Sequence, residues 1–146
     1  MAVAGCDKIG WMSTEKLHQH AQTGIAEMDQ EHALELQIVR SIKTALVDAD
    51  HERVNELLQQ LEDFTNAHFL AEQLLMRLHA YPGYEAHQEE HDQLMTELHE
   101  LSQGIQADTS SDPAQEAENL ERWLLTHIQS SDQALAEYLK QQGHKA

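Results

Sequence analysis

Residues 84–105 read YEAHQEEHDQLMTELHELSQGI. His87, His91, Leu94, Leu98, Leu101 and Ile105 follow one another at spacings of 4, 3, 4, 3 and 4, which is the repeat of a single stripe along an α-helix. The stripe that must face a core therefore begins with two imidazoles, one turn apart, and two such rings can reach one metal ion. Alone, the same letters also fit H-x-x-E-H, the inverted zinc-protease pattern in which Glu90 would be the general base. The rest of the chain decides between these readings.

Before this segment, Ala80-Tyr81-Pro82-Gly83 is a stop signal, since proline cannot continue a helix and glycine supplies the turn. It closes a helix predicted over about 51–79, whose inward stripe is Val54, Leu57, Leu61, Phe64, His68, Glu72 and Leu75. An earlier helix is predicted from about Asp29, taken as its cap, with His32, Leu36, Val39, Ile42 and Leu46 on one face until Asp48–Asp50 interrupts. After the polar stretch Ser102–Ser111, Asp112-Pro113 offers an N-cap and a proline at the first helical position. That helix buries Leu120, Trp123, Leu124 and His127 and is expected to run to about Ser130, with Asp132–Gln142 as a short continuation after a bend. Residues 1–24 show no sustained period and read as an irregular arm fastened by Trp11, Met12 and Leu17; residues 25–146 form the helical domain.

Four helices joined by short loops predict an all-α, up-down-up-down antiparallel four-helix bundle, an architecture that builds metal sites from side chains on facing helices. Direction alternates in such a bundle. Residues early in the first and third helices therefore share a level with residues late in the second and fourth. His32, His68, Glu72, His87, His91 and His127 all fall at that level, and Asp132 follows just after. Five histidines and two carboxylates exceed what one zinc ion takes. Two metals account for them if each carboxylate bridges: three His plus two bridges on one ion, two His plus two bridges on the other. A solvent-derived bridge then leaves one open coordination position. Imidazole and carboxylate donors together suit iron better than magnesium or calcium, which prefer oxygen alone. Within residues 25–146 no Glu-x-x-His occurs, unlike the carboxylate-rich di-iron bundles that use that motif.

The segments TGIAEMDQEH, HFLAEQLLM, YPGYEAHQEEH and WLLTHIQSSD resemble, in that order, those of the hemerythrin family, and the ordered set H, H-x3-E, H-x3-H, H-x4-D is specific to it. The resemblance covers residues 23 to about 138 and is nearest the bacterial members. It implies a centre of two iron ions, with His87, His91 and His127 on one and His32 and His68 on the other, bridged by Glu72, Asp132 and an oxo or hydroxo group. It further implies a non-enzymatic role, in which dioxygen binds reversibly at the two-histidine iron for storage, delivery or sensing. Three positions depart from the family's habit. Trp11 stands twelve residues before Thr23 where a tryptophan is usual at about seven, Gln73 replaces a frequent glutamate, and Leu94 replaces a common phenylalanine.

Composition narrows the alternatives. Twenty-six acidic against nine basic residues, a formal charge of −17, argue against nucleic acid or an anionic membrane as partner, because both reward Lys and Arg. The partners expected are dioxygen and an unidentified redox or client protein. A single cysteine, Cys6, makes no internal disulfide, and the start lacks the basic and apolar regions of a signal peptide, so a cytoplasmic location is expected. Burying five imidazoles and two carboxylates without a metal would strand several polar groups at about 1–3 kcal/mol each. His18, His20, His51, His79, His99 and His144 read as surface residues, and Glu90 as a solvated one. A zinc protease would leave His32, His68 and His127 unexplained. A di-iron peroxidase or nitric oxide scavenger needs the same ligands and is the alternative function. A sensor module would continue its last helix into an output domain, whereas QQGHKA reads as a terminus.

Overall fold

The computed structural model describes residues 22–143, so the arm contacts expected of Trp11, Met12 and Leu17 lie outside the described residues, as do Cys6, His18, His20 and His144. Within them the chain is all-α. Helix α1 spans Ala26–Val47, α2 His51–Leu78, α3 Tyr84–Gln106 and α4 Pro113–His127; a π-helical turn, Ile128–Asp132, leads without a break into α5, Gln133–Gln141. α1 packs against α2 and α4, and α3 packs against the same two. This is the four-cornered antiparallel bundle that short loops between long helices require.

The periodic residues do what their spacing dictates. Val39, Ile42, Leu58, Leu61, Leu94, Leu98, Leu124 and Leu125 meet in one large apolar cluster. A second, smaller cluster of Ile25, Met28, Met76, Leu135, Ala136 and Leu139 lies at the end of the bundle that α5 covers. The polar layer containing the histidines is sandwiched between the two, which keeps water from it on both sides.

Two boundaries differ from expectation, each for a local reason. α1 begins at Ala26, not Asp29, and its N-cap Ile25 makes no side-chain cap. Asp29 lies inside the helix and reaches back, accepting from the backbone N–H of Thr23 at 2.8 Å and of Gly24 at 3.2 Å and from the Thr23 hydroxyl at 2.7 Å. It satisfies free donors ahead of the helix from within the first turns. Gly24 is required there: its φ is +85°, and an added Cβ would come within 2.5 Å of Lys140 Nζ, which donates to the Thr23 carbonyl at 2.6 Å. α3 ends at Gln106, just past Ile105 as its stripe predicts, and its buried Ser102 accepts from Gln106 Nε2 at 2.9 Å. Finally, α4 does not bend away after Ser130. It widens into the π-turn and continues, and Tyr138 of α5 donates its hydroxyl proton to the carbonyl of His79 at 2.6 Å, closing the bundle end.

Candidate metal centre

His32 comes from the second turn of α1, His68 and Glu72 from the second half of α2, His87 and His91 from the start of α3, His127 from the end of α4 and Asp132 from the end of the π-turn. All seven are buried. Their donor atoms form two groups, in each of which every atom lies within 4.8 Å of the others: Glu72, His87, His91, His127 and Asp132, and His32, His68, Glu72 and Asp132. The carboxylates belong to both groups, so the structure brings together all seven residues singled out in the sequence.

The two oxygens of each carboxylate divide between the groups. Glu72 Oε1 lies 3.0 Å from Nε2 of both His87 and His91, while Oε2 lies 2.9 Å from His68 Nε2 and 3.7 Å from His32 Nε2. Asp132 Oδ1 faces Nε2 of His87 at 3.0 Å and of His127 at 3.2 Å, and Oδ2 faces His32 Nε2 at 2.8 Å. Neighbouring donors on an octahedron with bonds of about 2.0–2.2 Å stand about 2.8–3.1 Å apart, so all but the His32–Glu72 distance match that edge within a tenth of an ångström.

These contacts are close, yet mostly not hydrogen bonds. Nε2 of His32, His68, His91 and His127, Glu72 Oε2 and Asp132 Oδ1 are buried without a hydrogen-bond partner. Atoms that approach to about 3 Å without aligning on each other are aligned on something between them, and leaving so many buried polar atoms orphaned would be costly. The donor set therefore fits two metal ions sharing both carboxylates. With imidazole nitrogens, carboxylate oxygens and no thiolate, it suits iron.

Electrostatics show how the site would behave without metal. Burial alone would push His32, His68 and His127 down, but carboxylates outweigh it: Asp132 and Glu72 hold His32 up at about 9, Glu31 and Glu72 hold His68 at about 11, and Asp132 and Glu90 hold His127 at about 10. His87 is also raised, by Asp132 and Glu72 against burial. His91 is lowered, by burial and by its cationic neighbours His127 and His87. Burial would raise Glu72, yet the histidines around it hold it well below its usual value; burial and Glu72 would raise Asp132, yet His127 and His32 hold it low as well.

The spacing H-x4-D needs the π-turn. On a regular α-helix Asp132 would sit about 140° around from His127; a helix bonded i to i+5 brings residues five apart back to one face. The turn is edged by serines, Ser130 donating to the Thr126 carbonyl at 2.7 Å and Ser131 to Glu90 at 2.7 and 2.8 Å.

Glu90 corrects the sequence reading. It is not a solvated residue: it is only 20% exposed and takes the far nitrogen of His127, Nδ1, at 2.8 Å, which leaves Nε2 free to face the site. Glu31 does the same for His68 Nδ1 at 3.1 Å. Sequence periodicity missed both because each lies beside an inward residue, not on the inward stripe. Rings frame the set: Phe69 stacks on His91 with centroids 3.7 Å apart, and Trp123 on His127 at 5.4 Å. Gln73 spans to the Tyr84 hydroxyl at 2.8 Å, so this departure makes a helix-to-helix contact at the surface of the centre. Leu94 is fully buried in the larger core.

Removing the Glu90 carboxylate is expected to weaken metal binding without abolishing it. Losing a partner of a ligating histidine typically costs about 10–100-fold in affinity, so Glu90→Ala should release metal to a chelator at a correspondingly lower concentration, read by competition titration. An affinity equal to that of the unaltered protein would show that Glu90 leaves His127 unaffected.

The family described as "Hemerythrin HHE cation binding domain" matches residues 23–139. The bacteriohemerythrin of Stenotrophomonas maltophilia (strain R551-3) is 30% identical over 118 residues, covering 80% of this chain and 76% of that protein. The bacteriohemerythrin of Pseudomonas aeruginosa (strain LESB58) is 29% identical over 111 residues, 75% of this chain and 71% of the relative. A solved crystal structure of a mutant protein superposes with a TM-score of 0.74 over 80% of this chain and 89% of that one, at 21% identity, which speaks to the fold alone. Bundle, ordered ligand set and matched span agree: the chain belongs to the hemerythrin family.

Proposed function

We propose that the chain holds two iron ions and binds dioxygen reversibly, as a carrier, store or sensor and not as an enzyme. The observation that carries this is the division of each carboxylate's oxygens between a three-histidine and a two-histidine group. His87, His91 and His127 would hold one iron, His32 and His68 the other, and Glu72 and Asp132 both. The three-histidine group has one more protein donor, so with equal coordination the free place falls to the two-histidine iron. When bound, the iron pair supplies the electrons that dioxygen takes up and returns.

The chain's own residues do the rest. Glu31 and Glu90 fix which nitrogen of His68 and His127 faces the ions. The apolar clusters above and below the layer, with Phe69 and Trp123 against the rings, exclude water, and dryness favours reversible over irreversible oxidation. The functional unit is proposed as residues 25–146. Among the described residues no helix is long and apolar enough to cross a membrane.

The test is an absorption spectrum of the reduced, iron-loaded protein before and after admitting air, with metal counted per chain. Two irons and a visible charge-transfer band that vanishes under argon support the carrier. Direct passage to a stable oxidised form would favour peroxidase or nitric oxide chemistry on the same ligands, and a single zinc would refute the di-iron reading.

A further inference from the structure

Among the described residues, two buried carboxyl groups lie outside the candidate ligand set. Glu121 is accounted for as a structural ion pair: Lys43 Nζ lies 2.7 Å and Arg40 Nε 3.5 Å from it, tying α1 to α4. Glu35 has no such cation. It is 1% exposed, no Lys, Arg or His among the described residues lies within ion-pair distance, and its hydrogen bond comes from the Thr65 hydroxyl, donated to Oε2 at 2.7 Å.

The position is as unusual as the burial. Glu35 follows His32 by three residues on α1, and Thr65 precedes His68 by three on the antiparallel α2. The pair therefore forms a polar step one turn deeper than His32 and His68, on helices whose neighbouring Leu36 and Phe69 belong to the larger apolar cluster. The charges that act on it most belong to His68, His32 and Asp132, the two-histidine side of the centre. Burial pushes its carboxyl up, against weaker opposing pulls from His68, Thr65 and His32. Thr65 donates to Oε2, and Oε1 makes no hydrogen bond among the described residues, so Oε1 is the oxygen left to act on a ligand. A purely structural role would be served better by leucine at such a site, since an apolar residue of similar size there costs nothing in desolvation.

We propose that Glu35, oriented by Thr65, is a specificity-determining residue: its carboxyl group donates a hydrogen bond to the outer atom of a small ligand bound end-on at the two-histidine iron. The inference rests on reading His32 and His68 as one metal position with a free place. The pocket then prefers ligands that end in a hydrogen-bond acceptor, above all anionic ones, because a bond to a charged acceptor is about twice as strong as a neutral one.

Sodium azide is the probe. The oxidised, iron-loaded protein and its Glu35→Gln and Glu35→Leu variants are titrated with azide by absorption, with iron per chain counted and the melting of each metal-free variant recorded. Glu35→Leu is expected to weaken azide about tenfold or more, the loss of one charge-assisted hydrogen bond, whereas Glu35→Gln keeps an N–H donor and stays within about threefold. Iron content should not change, and metal-free Glu35→Leu should melt no lower than the unaltered chain. Azide affinity unchanged in Glu35→Leu, or iron lost from either variant, overturns the proposal while leaving the di-iron reading intact. If the unaltered iron-loaded protein itself binds no azide, the free coordination place is absent and both fail.

Discussion

Glu72→Ala is expected to empty both metal positions at once, where His32→Ala empties one. Glu72 is the residue whose oxygens face four of the five histidines: His87 and His91 through Oε1, His68 and His32 through Oε2. Truncating it would take a donor from each ion and one of the two proposed protein bridges between them. His32 touches only the two-histidine group, so its loss leaves His87, His91, His127 and both carboxylates for the other ion. Metal counted per chain after loading and desalting distinguishes the two. A Glu72→Ala protein that retains one ion as tightly as the unaltered chain would show that the carboxylate does not bridge. The metal-free variant should also lose stability, by about 3–5 kcal/mol, because raised histidines are left without their buried counter-charge.

Metal loading at pH 7 is expected to expel more than one proton per ion, and metal affinity should climb with pH. The raised pKa values of His32, His68, His87 and His127 mean that the metal-free chain carries protons on nitrogens a metal needs. Raised imidazoles stabilise the fold fully below their ordinary value of 6.5, and that contribution disappears as the pH rises through the folded values, about 9 for His32, about 10 for His127 and about 11 for His68. Glu72 and Asp132 act with the opposite sign. Held well below their ordinary values, they stabilise at neutral pH and cease to do so only as strong acid protonates them. The metal-free protein should accordingly unfold more easily above pH 9, while the loaded protein, whose imidazoles hold ions instead of protons, should be indifferent there. Calorimetric loading in two buffers of different ionisation enthalpy measures the protons directly; none released at pH 7 would mean that the imidazoles are already neutral.

What the sequence revealed depended on distance along the chain. His87 and His91, His68 and Glu72 sit one turn apart on single helices, so spacing alone placed each pair on a face, and alternating helix direction placed the pairs at one level. The bundle and the clustering of the seven residues were legible for that reason. The roles of Glu31, Glu90 and Glu35 were not. Each depends on a contact across about thirty residues or more, with His68, His127 and Thr65 respectively; Glu31 and Glu90 lie beside the inward stripe, where an acid reads as exposed, and Glu35 lies on it, three residues after His32 and four before Val39, where spacing gives the face but not the partner. Asp29 was read as a cap but in the wrong place, because a side chain bonding backward from inside the helix has the same composition as one bonding forward from its start. The π-turn escaped too: IQSSD contains neither glycine nor proline to mark it, and its cause is tertiary, the demand that Asp132 face inward.

That turn also bears on how two carboxylates of unequal length would serve one pair of ions. Glu72 reaches the centre from a regular helix with two methylenes, Asp132 with one. A π-turn has more residues per circuit and so a wider circumference, which would carry the backbone toward the centre and make up for the shorter side chain. One bridge is therefore a long arm on a fixed shoulder, and the other a short arm on a shoulder moved forward. With one fewer rotatable bond the short arm is the stiffer, and the ions should follow Asp132 while Glu72 pivots to accommodate them.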